Sequence, residues 1–320
     1  MHTTVVGLDL GKRVFQVHVA SPDAPPIKRK LSRDELLPFL AAIPRGLVAM
    51  EAAGSAHFWS REISALGHET KLIPPKYVTP FRKGNKNDAK DAEAICEAAQ
   101  RPYMRFAVSR TPDEQSILLL HTLRRHAIGM RVASSNALHS ILQELGLVAD
   151  STDDLIALAD GLLTDTSGST VPLRLRRALR SLVDAWRDAQ VEEQEIDAEI
   201  ANWAAQNRLA KLLRTIPGVG PQSASVAAAT MGNPSNFTSG AQFAAFVGLA
   251  PTHWGTGGRT GIREIPARAG YLRTLLYQGA STIASTQKKK KFVDNPWLGE
   301  LLERKPRNWL ASPRQIRRLG

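Results

Sequence analysis

Val5-Val6-Gly7-Leu8-Asp9-Leu10 is a β-branched and apolar run near the start of a 320-residue chain, with one acid set inside it. Its composition calls for a buried strand, and an aspartate there is costly unless it faces water, a cation or a metal. Working outward, residues 3–10 and 14–20 read as strands separated by Gly11-Lys12-Arg13, a hairpin pattern. Pro22, Pro25 and Pro26 break the chain before a basic strand-like stretch at 27–31. Ser32 then fits an N-cap, with Glu35 three residues on as a capping box, for a helix to about Ala42. Residues 46–50 form a short apolar strand that delivers Glu51 at its end. A helix over 55–66 and a strand over 68–73 follow, closed by Pro74-Pro75. The order β-β-β-α-β-α-β implies an α/β domain, a mixed sheet flanked by helices.

Beyond Asn87 the pattern turns helical, with Ala92, Ile95, Cys96 and Ala99 at helical spacing up to Arg101-Pro102. Residues 113–145 predict a long helix after Pro112. The stretch 149–169, rich in Asp, Ser, Thr and Gly, is a boundary with a short helix inside it. Residues 173–213 predict one long amphipathic helix, with Leu175, Leu179, Leu182, Trp186, Ile196, Ile200 and Trp203 as its apolar positions. Such a helix either pairs subunits as a coiled coil or packs within its own bundle. Residues 216–280 form a compact module, small and mainly α. The expected division is thus 1–148, 149–212, 213–287 and a basic tail over 288–320.

With 43% hydrophobic and 22% charged residues, general disorder is excluded. Cys96 is the only cysteine, which removes a disulfide framework and a cysteine-based zinc site and suits a reducing cytoplasm. No apolar run approaches the roughly 20 residues of a membrane helix, and no secretory signal is visible. Lys and Arg number 42 against 30 Asp and Glu, a net charge of +12, and nucleic acid is the default partner for such a chain. Ten of those cations, against three acids, fall in the tail, which is either a solvated extension or an arm on phosphates.

Four carboxylates stand out by position. Asp9 lies in the first strand, Glu51 ends the fourth, and Asp88 and Asp91 stand three apart on one helical face. Singly, each has an ordinary structural explanation, such as a favourable place at a helix N-terminus. Together they match the RNase H-like nuclease plan. Clustered acids repel unless divalent cations neutralise them, and oxygen-only ligands suit magnesium or manganese. Two such ions would activate an attacking oxygen and stabilise a leaving one at phosphorus. Arg82-Lys83-Gly84-Asn85-Lys86-Asn87 runs directly into the acid pair and would bring cations to an entering phosphate. Ile216-Pro217-Gly218-Val219-Gly220, followed by a small-residue helix, matches a helix-hairpin-helix pattern that admits phosphate to backbone N–H groups. Lys83, Lys86, Gly218, Gly220 and Arg259 are therefore the candidate nucleic-acid contacts.

These segments carry a resemblance. Gly7-Leu8-Asp9-Leu10-Gly11-Lys12, Met50-Glu51-Ala52, Asn85-Lys86-Asn87-Asp88-Ala89-Lys90-Asp91-Ala92, Ile216-Pro217-Gly218-Val219-Gly220 and Phe243-Ala244-Ala245-Phe246-Val247-Gly248-Leu249-Ala250-Pro251 occur in the order of one family. The chain resembles, over roughly residues 3–305, the DEDD-type transposases of bacterial insertion sequences, the bridge-RNA-guided recombinases. The resemblance implies a RuvC-like N-terminal domain whose metal ligands are Asp9, Glu51, Asp88 and Asp91. It also implies a long helical insertion and a C-terminal transposase domain supplying a serine nucleophile. DNA and a structured guide RNA would be the partners, and the assembly a dimer or a pair of dimers. Thr256, in Gly255-Thr256-Gly257-Gly258, stands where the family carries that serine, and Pro266 where a Ser or Thr is usual. A metal-dependent junction nuclease and a non-catalytic nucleic-acid-binding remnant are the rival readings.

Overall fold

The computed structural model describes residues 4–82, 88–164, 171–250, 252–256, 259–263 and 270–286. Lys83, Lys86 and the basic tail lie outside the described residues, as do the side chains of Asp88, Thr256 and Arg259. The chain divides into two compact units. One runs to Glu114 and takes in Met231–Asn233, and the other comprises Gln115–Thr230 and Pro234–Gly320.

In the first unit, β1 (Val5–Leu10), β2 (Val14–Ser21) and β3 (Ala24–Ser32) form an antiparallel meander. Helix α1 (Arg33–Ala42) leads to β4 (Leu47–Glu51), and α2 (Ala56–Ala65) to β5 (Glu69–Ile73). The sheet order is β3-β2-β1-β4-β5, with β1, β4 and β5 mutually parallel. A short helix α3 (Pro75–Val78) and a 3-10 turn over Thr79–Phe81 precede α4 (Asp88–Ala99). The expected capping box is present, and the Glu35 carboxylate accepts from the Ser32 backbone N–H at 2.7 Å and from its hydroxyl at 2.8 Å. The prolines at 25 and 26 do not break the chain. They lie inside β3, an edge strand, at the register shift between the Val19–Ile27 and Ser21–Ala24 pairs, where the ladder is already interrupted and a missing N–H costs little.

Strand alternation gives the sheet two faces. Val6, Leu8, Val48 and Met50 meet α1 and α2 through Leu36, Leu40, Trp59 and Ile63. Val5, Ala49 and Ile73 face the opposite way, under Ile95, Cys96 and Ala99 of α4. Gly7 belongs to that second face by parity. A Cβ there would lie 2.1 Å from the Ala92 carbonyl oxygen and 2.6 Å from the Cys96 nitrogen, so α4 rests on bare backbone. Gly7→Ala is expected to lower stability by about 3 kcal/mol, because rigid helix backbone must move instead of a side chain. A thermal melt checks it; a midpoint within 2 °C of wild type would contradict the close contact.

The second unit is mainly helical. Helix α5 (Pro112–Glu144) enters it, followed by α6 (Thr152–Thr164), α7 (Leu173–Gln206), α8 (Arg208–Leu213), α9 (Pro221–Met231) and α10 (Gly240–Val247). A hairpin of β6 (Thr252–Thr256) and β7 (Arg259–Arg263) precedes α11 (Tyr271–Thr286). The helix expected over 173–213 is two helices. Asn207 adopts extended backbone and its side chain accepts from the Ala210 N–H at 3.0 Å, starting α8 afresh. The apolar stripe of α7 is spent inside the unit, with Leu179, Val183 and Trp186 packed against α5 and α6, and Ile196 and Ile200 against Ile117 and Ala229. That is the bundle alternative for this stripe.

A polar network fixes the interior. His121 is 2% exposed, with Nε2 2.8 Å from Ser225 Oγ and Nδ1 3.4 Å from the Tyr271 hydroxyl. Burial, helped by the nearby Arg124 charge, pushes its pKa down to about 4, so the ring is neutral at neutral pH. Arg124 in turn donates to both Asp197 oxygens, at 2.6 and 3.1 Å.

Candidate functional site

The parallel register pairs Leu8 of β1 with Met50 of β4, so Asp9 and Glu51 each follow one residue beyond this pair, at the same end of adjacent strands. Both share the parity of Gly7 and Ala49, and so project on the α4 side of the sheet. Asp91 stands on α4 beside Ala92, the residue whose carbonyl touches Gly7. Two residues of strand therefore separate the helix contact from Asp9. Local causes set these positions on one face of the sheet. Parallel pairing aligns the strand ends, and a glycine lets the helix approach.

Glu51 leaves the sheet through a tight turn. The Ala52 N–H donates to the Ile73 carbonyl at 2.8 Å and the Ala53 N–H to the Glu51 carbonyl at 2.8 Å. Ser55, just before α2, has φ of 66°, uncommon for a non-glycine residue. Asp91 is only 4% exposed. Arg82, just past the 3-10 turn, reaches both acids. Its Nη2 donates to Glu51 Oε1 at 2.9 Å, and its Nε lies 2.9 Å from Asp91 Oδ1 without hydrogen-bond alignment. The two carboxylates thus converge on one cationic group. Asp88 is the first residue of α4, one turn before Asp91. Among the described residues no three His, Cys, Asp or Glu side chains form a ready metal-binding group.

The donor chemistry nevertheless fits a hard cation. Glu51 and Asp91 offer only oxygen, a positive group already lies between them, and a third acid, Asp9, lies on the same sheet face at the adjacent strand end. Sequence reasoning put Arg82 in a basic segment, yet missed its bridging position. A 31-residue separation from Glu51 leaves no periodic signal; only its place just before the acid-bearing helix hints at it.

The second unit holds the remaining candidates. Helix α8 and helix α9 are joined by a tight turn, in which the Val219 N–H donates to the Ile216 carbonyl at 3.0 Å. Gly218 sits at φ +81°, and a Cβ there would lie 2.5 Å from Ile283 Cδ1 and 2.9 Å from the Gly279 carbonyl oxygen. Its missing side chain lets the turn lie against α11. Gly220 precedes α9 and its carbonyl accepts from the Ala224 N–H at 2.9 Å. An open cleft of about 510 Å³ runs along residues 214–220, with Gly279 and Thr282 on its other wall. Thr256 is not in a free loop. It closes β6 and pairs with Arg259 of β7, with Gly257 and Gly258 between them in sequence.

Residues 6–146 match the DEDD-type IS110 transposase family, and residues 210–294 match the transposase family described as IS116/IS110/IS902. A probable family 20 transposase of Pseudomonas aeruginosa is 39% identical over 97% of this chain and 93% of its own length. The transposase for insertion sequence element IS1328 of Yersinia enterocolitica is 40% identical over 87% of this chain and 83% of its own. The transposase for insertion sequence element IS1111A of Coxiella burnetii is 32% identical over 95% and 84% respectively. No helix among the described residues is long and apolar enough to cross a membrane.

Proposed function

This chain belongs to the IS116/IS110/IS902 family of insertion-sequence transposases, and from that membership we propose that it cuts and rejoins DNA with a metal-loaded acidic site and a threonine hydroxyl, directed by a structured RNA. The observation that carries the metal reading is the convergence of Glu51 and Asp91 on one cationic group, on the sheet face that Asp9 shares. The β3-β2-β1-β4-β5 order, with β1, β4 and β5 parallel, suits an RNase H or RuvC-like fold, whose plan sets acids on the first strand, the fourth strand and a later helix. Asp9, Glu51, Asp88 and Asp91 would hold magnesium or manganese. The ion, when bound, supplies Lewis-acid stabilisation of charge at a phosphate.

The protein's own groups do the rest. Asp9 and Glu51 are held by a rigid sheet, so their spacing survives substrate entry. The Thr256 hydroxyl is the proposed nucleophile: its Oγ–P bond forms as one bridging P–O bond breaks. Its proton leaves to solvent or a nearby base, and the departing oxygen takes up a proton in turn. One phosphodiester is exchanged for one phosphoester, so rejoining needs no external energy source. Lys83, Lys86 and Arg259 would contact phosphates, and the 216–220 turn would act as a helix-hairpin-helix at the backbone, favoured by its exposed Pro217 and Arg214. The charge of +12 suits both DNA and a guide RNA. We assign cutting to residues 1–148, spacing and subunit contacts in a dimer or pair of dimers to 149–212, the nucleophile to 213–287 and further phosphate contacts to 288–320.

The test incubates the chain with DNA carrying the element's ends and its flanking non-coding RNA, then resolves denatured protein on a gel. A magnesium-dependent covalent protein–DNA adduct is expected, lost in EDTA and regained with Mg²⁺ or Mn²⁺. Cleavage without any adduct would favour a junction-type nuclease, and binding without cleavage a non-catalytic protein.

A further inference from the structure

Arg82 occupies a position that the proposed metal reading does not use. Its side chain is about one-quarter exposed, against 18% for Glu51 and 5% for Asp91. We propose that Arg82 is an exchangeable counter-cation, holding Glu51 and Asp91 together in the metal-free protein and yielding their oxygens when a divalent ion binds. This rests on reading the acids as a metal site.

Three features support exchange over a permanent bridge. First, Arg82 engages one oxygen of each acid, Glu51 Oε1 and Asp91 Oδ1, both at 2.9 Å, and these are the donors a divalent ion would draw on. A guanidinium and a divalent ion repel each other, so each weakens the other's hold on those oxygens. Second, the grip is divided. Arg82 meets two different acids through two different nitrogens, and the Nε contact is unaligned, whereas the strong guanidinium–carboxylate pair is a parallel two-bond fork on one acid. Third, Arg82 lies outside the sheet and outside α4, with extended backbone at φ −72° and ψ 125°, so its long side chain can swing away while β4 and α4 stay in place. The device has a clear purpose. Asp91 is nearly buried, and a buried carboxylate left without a counter-charge is strongly destabilising. An acidic site that must stay folded before it acquires its ion needs an internal cation that can leave.

The experiment measures Mn²⁺ binding to the full-length protein, from the spin-resonance signal of the free ion, beside thermal melts in EDTA and in Mg²⁺. Wild type, Arg82→Gln, Arg82→Lys and Asp9→Asn are compared. In Arg82→Gln the metal-free melting midpoint falls, the gain on adding Mg²⁺ exceeds that of wild type, and Mn²⁺ binds about tenfold more tightly, because no internal competitor remains. Arg82→Lys, which keeps a charge but cannot span both acids, lies between. Unchanged or weaker Mn²⁺ binding in Arg82→Gln, with wild-type binding normal and weakened by Asp9→Asn, overturns the role of Arg82 alone. A wild type that takes up no Mn²⁺, or an Asp9→Asn chain that binds it as wild type does, overturns the metal site and this proposal with it. If Arg82→Gln does not fold, Arg82→Lys decides: tighter binding supports the exchange and equal or weaker binding overturns it.

Discussion

An Asp9→Asn chain is expected to bind DNA nearly as wild type does and to cut it on the order of a thousandfold more slowly. The substitution keeps the size of the side chain and its place at the end of β1, and the neighbouring Val5–Leu8 core does not change. It removes one negative charge from the proposed metal site. Loss of an effective metal ligand forfeits several kcal/mol of transition-state stabilisation, and about 4 kcal/mol corresponds to that factor. DNA affinity comes mainly from cations and phosphates, so it stays within a few-fold, and removing an acid tends to raise it slightly. Single-turnover cleavage and equilibrium binding, measured on the same preparation, check both halves. Cleavage within tenfold of wild type would remove Asp9 from the site.

That expectation was largely legible in the sequence. The run Val5-Val6-Gly7-Leu8-Asp9-Leu10 announced a buried strand with a misplaced acid, and the structure makes it β1, at the centre of the sheet. The alternation of strands, the capping box at Ser32 and the helix from Asp88 were readable because each depends on neighbours within four residues. What the sequence hid depends on distance in space. Two prolines in β3 spoke against a strand, since nothing local reveals that a strand is an edge. The single helix expected over 173–213 overran the break at Asn207, because a cap and an interior asparagine have the same letter. Gly7 was visible as a residue, but its purpose, to admit the backbone of α4 at Ala92, required the packed structure. Arg82 was hidden for the same reason.

The other large effect is expected at Thr256. Threonine carries the same hydroxyl as the serine that the family resemblance leads one to expect, but adds a methyl on the same carbon, which narrows the choice of χ1. The residue closes β6 and pairs with Arg259 across the hairpin, so its backbone is held by a strand ladder. A rotamer restriction at a fixed backbone cannot be relieved by moving the chain. In-line attack at phosphorus demands close alignment, and a misplacement of about 1 Å costs on the order of a hundredfold in rate. Thr256→Ser is therefore expected to form covalent protein–DNA adduct up to about a hundredfold faster than wild type, and Thr256→Ala none. All three should melt together, because each substitution removes at most a methyl and a hydroxyl, and the comparison of rates is then a comparison of chemistry. The order serine, threonine, alanine identifies the hydroxyl as the nucleophile and the methyl as its handicap. Equal adduct from the alanine chain would place the nucleophile elsewhere. Equal rates for serine and threonine would show that β6 already presents the hydroxyl in line, and that the extra methyl costs nothing at this position.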